Sequence, residues 1–178
     1  MLKKTLLALL ILAAGFAVVV ALQPSDFRVS RSAKMAAPPE TVFAQVNDFH
    51  QWQAWSPWAK LDPNAQFSYS GPASGPGAIF RWAGNNEVGE GAMTILESKP
   101  GERILIQLDF LKPMAGTSTA EFTFRPEAGQ TSVTWSMFGK NNFIAKAMGL
   151  FMNCDEMIGG QFEKGLAQMK SVVEAAPK

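Results

Sequence analysis

One long amphipathic segment, residues 153–174, limits the folds open to this chain more than any other feature. Asn153 is a suitable N-cap, and Glu156 follows three residues later, as in a capping box. The apolar residues recur at steps of four, four, three and four, which places them on one stripe of an α-helix: Ile158, Phe162, Leu166, Met169 and Val173. Such a stripe has to be buried against another element, which the rest of the chain must supply.

Three glycines lie inside this predicted helix, at Gly159, Gly160 and Gly165. Each costs roughly 1 kcal/mol relative to alanine in a helix interior. A helix that keeps three of them needs a close neighbour or free space at its side. The sequence leaves two explanations open: the glycines accommodate tryptophan rings, or they form the wall of a ligand cavity.

Most of the chain before this helix has the pattern of β-strands. Apolar and polar residues alternate in segments that turn residues separate, at 26–35, 66–70, 78–83, 90–98, 103–111, 117–125 and 131–138. Pro39 begins a short helix after the first strand, a second short helix ends near Trp55, and helical sequence resumes from Asn142. Because short loops join neighbouring antiparallel strands, we predict an α+β fold with two short helices after strand 1. The apolar face of the antiparallel sheet needs a cover, and the long C-terminal helix is the only element large enough.

The N-terminal residues 1–25 differ from the rest of the chain. Lys3 and Lys4 precede a run of apolar residues without charge, which ends at Leu22 before a short linker. The run is just long enough to span a membrane as a helix, and the sequence after Val20 is a poor signal-peptidase site. We therefore favour a membrane anchor over a cleaved signal peptide, which would give a secreted domain.

An anchor formed by residues 5–22 also predicts an orientation. The two lysines would hold the N-terminus in the cytoplasm by the positive-inside rule. The remaining domain, residues 26–175, would then be extracytoplasmic, and periplasmic if the cell is Gram-negative. The membrane is thus a predicted partner through the N-terminal helix.

Composition excludes several classes of function. The net charge is +1 without a run of basic residues, so we expect no nucleic-acid partner. Cys154 is the only cysteine and His50 the only histidine, so neither a disulfide within the chain nor a Cys- or His-rich metal site is possible. The glycines of residues 84–91 lie in a hairpin rather than in a strand-to-helix turn, which argues against dinucleotide binding. We predict no metal and no cofactor.

Several motifs, together with the order of the elements, resemble a known superfamily. They are residues 38–43 at the first helix, 55–58 after the second, 89–91 with Met93, 131–135 in the last strand, and 158–159 and 162–166 in the last helix. Over residues 27–174 the chain resembles the START-like helix-grip superfamily, in its SRPBCC or polyketide cyclase and dehydrase group. Many bacterial members of that group carry an N-terminal apolar anchor. The resemblance implies a helix-grip fold, in which a curved seven-stranded antiparallel sheet wraps round the long C-terminal helix. It also implies binding of lipids, polyketides or other apolar molecules, and only some members are enzymes.

Large apolar side chains are the candidate ligand contacts. Methionine and aromatic residues suit sites that accept varied apolar molecules, although they also suit an ordinary core. The candidates are Trp55, Trp58, Phe80, Trp82, Met93, Trp135, Met137, Phe151, Gly159 and Phe162. Our leading hypothesis is that they bind a lipid-like or polyketide-like molecule between the sheet and the last helix.

Two further hypotheses remain open. A cyclase or dehydratase would use the same cavity and needs a proton-transfer group, for which Asp109 is the candidate. Asp109 lies in the middle of a predicted strand and would point into the cavity with Arg81 or Gln107, or else all three would project into solvent. The third hypothesis is a membrane-tethered protein of the cell envelope that acts through an exposed apolar surface.

Overall fold

The last helix and the sheet that it covers form the frame of the molecule. The computed structural model describes residues 2–175. Seven antiparallel strands follow the order β1-β7-β6-β5-β4-β3-β2. The strands are β1 (Asp26–Met35), β2 (Gln66–Ser70), β3 (Ile79–Ala83), β4 (Glu90–Lys99), β5 (Arg103–Lys112), β6 (Gly116–Glu127) and β7 (Gln130–Lys140). With the long helix α5 (Cys154–Ala175) against the inner face, the predicted helix-grip fold is confirmed.

The stripe predicted for α5 is the face that the sheet covers. Phe162, Leu166, Met169 and Val173 are buried, and Ile158 is half-buried at the edge of the core. Full burial of each side chain contributes about 1.5–3 kcal/mol. The expected N-cap is also present, because the Asn153 carboxamide oxygen accepts a hydrogen bond from the backbone N–H of Glu156 at 3.3 Å.

Two short helices follow β1, as predicted. They are α2 (Pro39–Asn47) and, after a single 3₁₀ turn, α3 (Trp52–Trp55). The buried face of α2 includes Phe43, whose ring meets the Phe124 ring of β6 edge to face at 5.5 Å. α2 contacts β6 and α5, and α3 contacts α5, so the two helices extend the cover of the core.

The outer face of the sheet is polar where β1 joins β7. The Ser30 and Ser136 hydroxyl groups lie 2.8 Å apart, and the Ser32 and Thr134 hydroxyl groups lie 2.7 Å apart. Side chains alternate between the two faces of a strand. The residues between these pairs therefore point inward, toward α5.

A short helix, α4 (Phe143–Gly149), connects β7 to α5. It begins where the sequence predicts helical structure, because the Asn142 carboxamide oxygen accepts a hydrogen bond from the backbone N–H of Ala145 at 2.8 Å. None of the α4 side chains is buried. The helix therefore adds little to the core.

The N-terminal apolar segment forms α1 (Leu2–Ala21), a helix of 20 residues. A rise of 1.5 Å per residue makes it about 30 Å long, the thickness of the hydrocarbon core of a bilayer. Its side chains are exposed apart from Val20. A helix with this length and composition serves as a membrane anchor or as a signal sequence.

Candidate ligand-binding cavity

A cavity of about 380 Å³ lies between the inner face of the sheet and the first half of α5. Small-molecule sites in proteins measure about 300–1,000 Å³, so this volume is sufficient for a ligand. Among the predicted ligand contacts, the residues that line the cavity are Trp58, Phe80, Trp82, Met93, Trp135, Met137 and Phe162. They come from β3, β4, β7, α5 and the turn after α3, which the fold brings together.

The position of the cavity follows from how α5 meets the sheet. Its later stripe residues, Leu166 and Met169, are fully buried against the core. The earlier ones, Ile158 and Phe162, instead line the cavity. On the opposite side, Ala120 of β6 provides a small side chain in the floor. The void is thus confined to the half of α5 nearest its N-terminus.

Small residues also let large rings lie flat against the sheet. A side chain at Gly91 of β4 would overlap the Trp82 ring, because an added Cβ would lie 2.5 Å from its Cζ2 atom. The Trp82 indole N–H donates to the carbonyl oxygen of Val88 at 3.1 Å, which fixes the ring in this place. Gly91 therefore positions one wall of the cavity.

Stacked aromatic rings form the wall beside α5. The Trp135 and Phe162 rings are stacked at 4.1 Å with an angle of 11° between their planes. Phe122 stacks on Trp135 at 4.9 Å, and Trp58 meets it edge to face at 5.9 Å. Such pairs contribute about 0.5–1.5 kcal/mol each beyond the burial of their area. These rings therefore form one continuous packed wall.

One polar atom of this wall has no partner. Trp135 is 3% exposed, and its Nε1–H finds no acceptor within residues 2–175. By contrast, the indole N–H of Trp52 donates to the carbonyl oxygen of Val46 at 3.1 Å, and that of Trp55 to the carbonyl oxygen of Gln45 at 3.0 Å. A buried donor without a partner costs about 1–3 kcal/mol. Trp135 thus carries a buried N–H donor without an acceptor in the described part of the chain.

The mouth of the cavity is more polar than its interior. It is lined by exposed residues of the β3–β4 hairpin, Asn86 and Glu87, and by Lys112 at the end of β5. The Lys112 ammonium lies 2.7 Å from the Glu90 carboxylate, and this hydrogen bond raises the pKa of Lys112. Within residues 2–175, Glu87 and Lys112 are the only titratable side chains that line the cavity. The surface of the interior is therefore mainly apolar.

A family model described as polyketide cyclase / dehydrase and lipid transport matches residues 26–174. The chain belongs to this family. No curated protein matches the chain.

Solved structures share the fold at low sequence identity. A protein from Chromobacterium violaceum is 19% identical, with a TM-score of 0.58, over 86% of this chain and 100% of that one. The di-domain ARO/CYC BexL from the BE-7585A biosynthetic pathway is 17% identical, with a TM-score of 0.63, over 90% of this chain and 54% of that one. The Aha1 dimer from Colwellia psychrerythraea is 14% identical, with a TM-score of 0.57, over 85% and 99% of the two chains. These likenesses extend the family's fold to this chain.

Three of the predicted contact residues lie outside the cavity. Trp55, the last residue of α3, is fully buried in the core, where its N–H donates to the carbonyl oxygen of Gln45. Phe151 is exposed beyond the end of α4 and contacts Phe16 of α1, with 6.3 Å between ring centroids. Gly159 faces β1, because it lies one residue beyond Ile158 and so about 100° further round the helix.

The three glycines of α5 have three different surroundings. At Gly165 an added Cβ would lie 2.9 Å from Cζ3 of Trp135 and 3.0 Å from Cδ of Pro57, so this glycine does accommodate a tryptophan ring. At Gly159 the neighbour is the Arg31 guanidinium, and Gly160 faces open space. None of the three lines the cavity, so the explanation of these glycines as a cavity wall was wrong.

Asp109 lies on the outer face of the sheet. Its neighbours along β5, Leu108 and Phe110, line the cavity, so its own side chain points the other way. There it accepts hydrogen bonds from the Gln107 carboxamide and the Thr117 hydroxyl, both at 2.7 Å. The structure therefore does not support Asp109 as a proton-transfer group in the cavity.

Other lining residues were not predicted. Leu108 and Phe110 alternate with Asp109, so the strand pattern could have assigned both to the inner face. Trp52 and Phe67 also line the cavity, together with the hairpin residues 86–89. Turn residues have no periodicity, which leaves the hairpin without a sequence signal.

Proposed function

We propose that this protein binds an apolar small molecule, lipid-like or polyketide-like, in the cavity between the sheet and α5. The apolar cavity with polar groups at its mouth is the observation that carries the proposal. The family description, which includes lipid transport, agrees with it. A ligand that buries about 300 Å² of apolar surface would gain roughly 7 kcal/mol before the costs of immobilisation.

The cyclase or dehydratase alternative uses the same cavity. It requires a group that transfers a proton at the reacting atoms. The titratable side chains that line the cavity within residues 2–175, Glu87 and Lys112, lie at its mouth. We therefore propose binding rather than catalysis as the function of the cavity.

We further propose that residues 5–22 remain attached as an anchor, with the domain on the extracytoplasmic side of the membrane. The length of α1 and the two lysines that precede its apolar run support this. The intact mass of the protein, purified from whole cells, is the test, together with its retention in a carbonate-washed membrane fraction. A mass that lacks the N-terminal segment would show a cleaved signal peptide instead.

Ligand binding can be tested by photo-crosslinking of the full-length protein in phosphatidylcholine nanodiscs. The probe is a fatty acid with a diazirine in the middle of its chain, and the adducts are mapped by peptide mass spectrometry. We expect adducts on lining residues such as Met93, Met137 and Phe162. Adducts confined to α1 and α4 would mean that the probe reaches the protein only from the lipid phase, and would contradict the proposal.

A variant that fills the cavity sharpens this test. Ala120→Leu adds volume at the floor, so we expect it to reduce adducts on Met137 and Phe162 while those on α1 persist. Gly160→Ala is the matched control, because Gly160 faces open space away from the cavity. The control should leave the adduct pattern unchanged.

A further inference from the structure

One end of the sheet carries the N-terminal helix, α4 and the mouth of the cavity. The first residue of β1, Asp26, pairs with Lys140 at the end of β7. At the same end of the sheet, Glu90 begins β4 and pairs with Lys112 at the end of β5. The linker from α1 leads into this end of the sheet, and α4 follows β7 there. Lys112, at the same end, lines the mouth of the cavity.

α4 and the residues that follow it expose an unusual amount of apolar surface. Phe143 is 53% exposed, Ile144 59% and Phe151 78%. Met148, Leu150 and Met152 are also exposed in the same short segment. Single exposed apolar residues are normal, but a contiguous group marks an interaction site. We call residues 143–152 the apolar apron.

Contacts with α1 indicate what covers the apron. The Phe16 ring of α1 lies 6.3 Å from the Phe151 ring, and the Lys146 ammonium lies 3.4 Å from the carbonyl oxygen of Ala21. Phe16 precedes Ala21 by five residues, which is about 8 Å along the helix axis. Amphipathic helices at a membrane surface bury their apolar faces about 5–10 Å deep. If α1 is embedded in a bilayer, Phe151 therefore lies at the depth of an interfacial helix.

We infer that the apolar apron docks on the lipid bilayer that holds α1, and that the mouth of the cavity consequently faces the membrane. Charges fit this arrangement, because Lys140 precedes the apron and Lys146 lies within it, where both can reach lipid headgroups. The nearby carboxylate of Asp155 is paired with Arg31 and so does not oppose docking. The ligand would then pass between the bilayer and the cavity, a consequence that rests on the proposed function.

The only cysteine of the chain gives a direct test. Cys154 is exposed, two residues beyond the apron, and can carry an NBD fluorophore without any substitution. The labelled full-length protein is reconstituted in phosphatidylcholine vesicles that contain lipids with a doxyl quencher near the headgroup. We expect strong quenching of the label at Cys154. A label on Ser171→Cys in a Cys154→Ser background, near the far end of α5, should not be quenched.

Substitutions in the apron identify the cause of the quenching. Ile144→Ser combined with Phe151→Ser should reduce quenching at Cys154 to the level of the Ser171→Cys control. Leu96→Ser is the matched control, because Leu96 is 49% exposed but lies toward the opposite end of β4. It should leave the quenching unchanged, and near-UV circular dichroism would verify that each variant is folded.

Several results would overturn the inference. Equal quenching at the two label positions, or quenching that the apron variants leave unchanged, would show that the apron does not dock on lipid. Self-quenching between labels that depends on protein density rather than on doxyl lipid would assign the apron to a second copy of this chain. Doxyl quenching without photo-crosslinked adducts in the cavity would support docking of the apron and contradict ligand binding. Cavity adducts without doxyl quenching would support ligand binding and contradict docking.

Discussion

Gly159 lies directly beneath the guanidinium group of Arg31. Arg31 projects from the inner face of β1, where its Nε donates to Glu163 at 2.7 Å and its Nη2 donates to Asp155 at 2.8 Å. Asp155, Gly159 and Glu163 are four residues apart and so lie on one face of α5. Because the middle residue has no Cβ, the planar group can cross the helix and bind a carboxylate on each side. This contact ties an edge strand to the half of α5 that lines the cavity.

The Arg31 contact predicts a pH-dependent stability. The hydrogen bond from Arg31 lowers the pKa of Asp155 below its usual value of 3.8. A carboxyl group with a lower pKa in the folded state contributes stability above its unfolded pKa and loses that contribution as the pH falls through the folded pKa. We therefore expect Asp155→Asn to lower the thermal midpoint at neutral pH, and the difference from the parent protein to disappear well below pH 3.8. Thermal unfolding followed by circular dichroism over this range is the measurement.

Glu156→Gln is the control, since it removes a neighbouring carboxylate that is not among the partners of Arg31. Its effect on the thermal midpoint should be small at every pH. A difference between Asp155→Asn and the parent protein that is the same at neutral and acidic pH would contradict the prediction.

A second prediction concerns Gly159 and Asp155 together. A Cβ at residue 159 would occupy the position of the guanidinium, which must then swing away because it is the flexible end of its side chain. In a Gly159→Ala background, Asp155→Asn should therefore have little further effect on the thermal midpoint. Residues that share one network are expected to be non-additive in this way. Additive effects in a double-mutant cycle would show that Arg31 keeps its contact with Asp155 despite the new methyl group.

The three glycines should respond differently to alanine. Gly160 faces open space, so Gly160→Ala should stabilise the protein by up to about 1 kcal/mol through helix propensity. Gly165→Ala forces a methyl group against Trp135 and Pro57, both of which are held in place, and should destabilise by roughly 1–2 kcal/mol. Urea unfolding of the two variants measures both values. If both variants changed the free energy of unfolding in the same direction, the prediction from the different surroundings of the two glycines would be wrong.

These glycines also show where sequence reasoning stops. The stripe of α5 and the alternation of the strands predict the fold correctly, because both periods are local properties of the chain. The group that lies over each glycine comes from a distant element: Arg31 from β1, and Trp135 from β7. Neither neighbour is visible in the helix sequence, so three residues of one type looked equivalent.

The same distinction applies to the candidate site. Trp55 and Trp58 are three residues apart and both were predicted as ligand contacts. The structure places Trp55 in the core and Trp58 on the cavity wall, because α3 ends at Trp55 and Pro57 redirects the chain. Residue type predicts that both side chains are buried. Only the path of the backbone decides which of them borders an empty volume.

The last prediction concerns the unpaired indole of Trp135. Trp52 and Trp135 are almost equally buried, at 4% and 3% exposure, but only Trp52 has an acceptor for its N–H. Trp52→Phe leaves the carbonyl oxygen of Val46 without its donor, whereas Trp135→Phe removes a donor that has no partner within residues 2–175. For a comparable loss of ring volume, we expect Trp52→Phe to reduce the free energy of unfolding by about 1 kcal/mol more than Trp135→Phe. Urea unfolding of the ligand-free protein provides the comparison.

Ligand affinity should show the opposite order, with Trp135→Phe losing more than Trp52→Phe. A ligand that accepts a hydrogen bond from Trp135 gains about 1 kcal/mol, so Trp135→Phe should weaken its affinity roughly fivefold. A long-chain fatty acid and the alkane of equal length form a suitable pair of ligands, because only the acid has an acceptor. Trp135→Phe should affect the acid and spare the alkane. Equal losses for both ligands would mean that Trp135 contributes packing alone, and that its N–H serves no ligand.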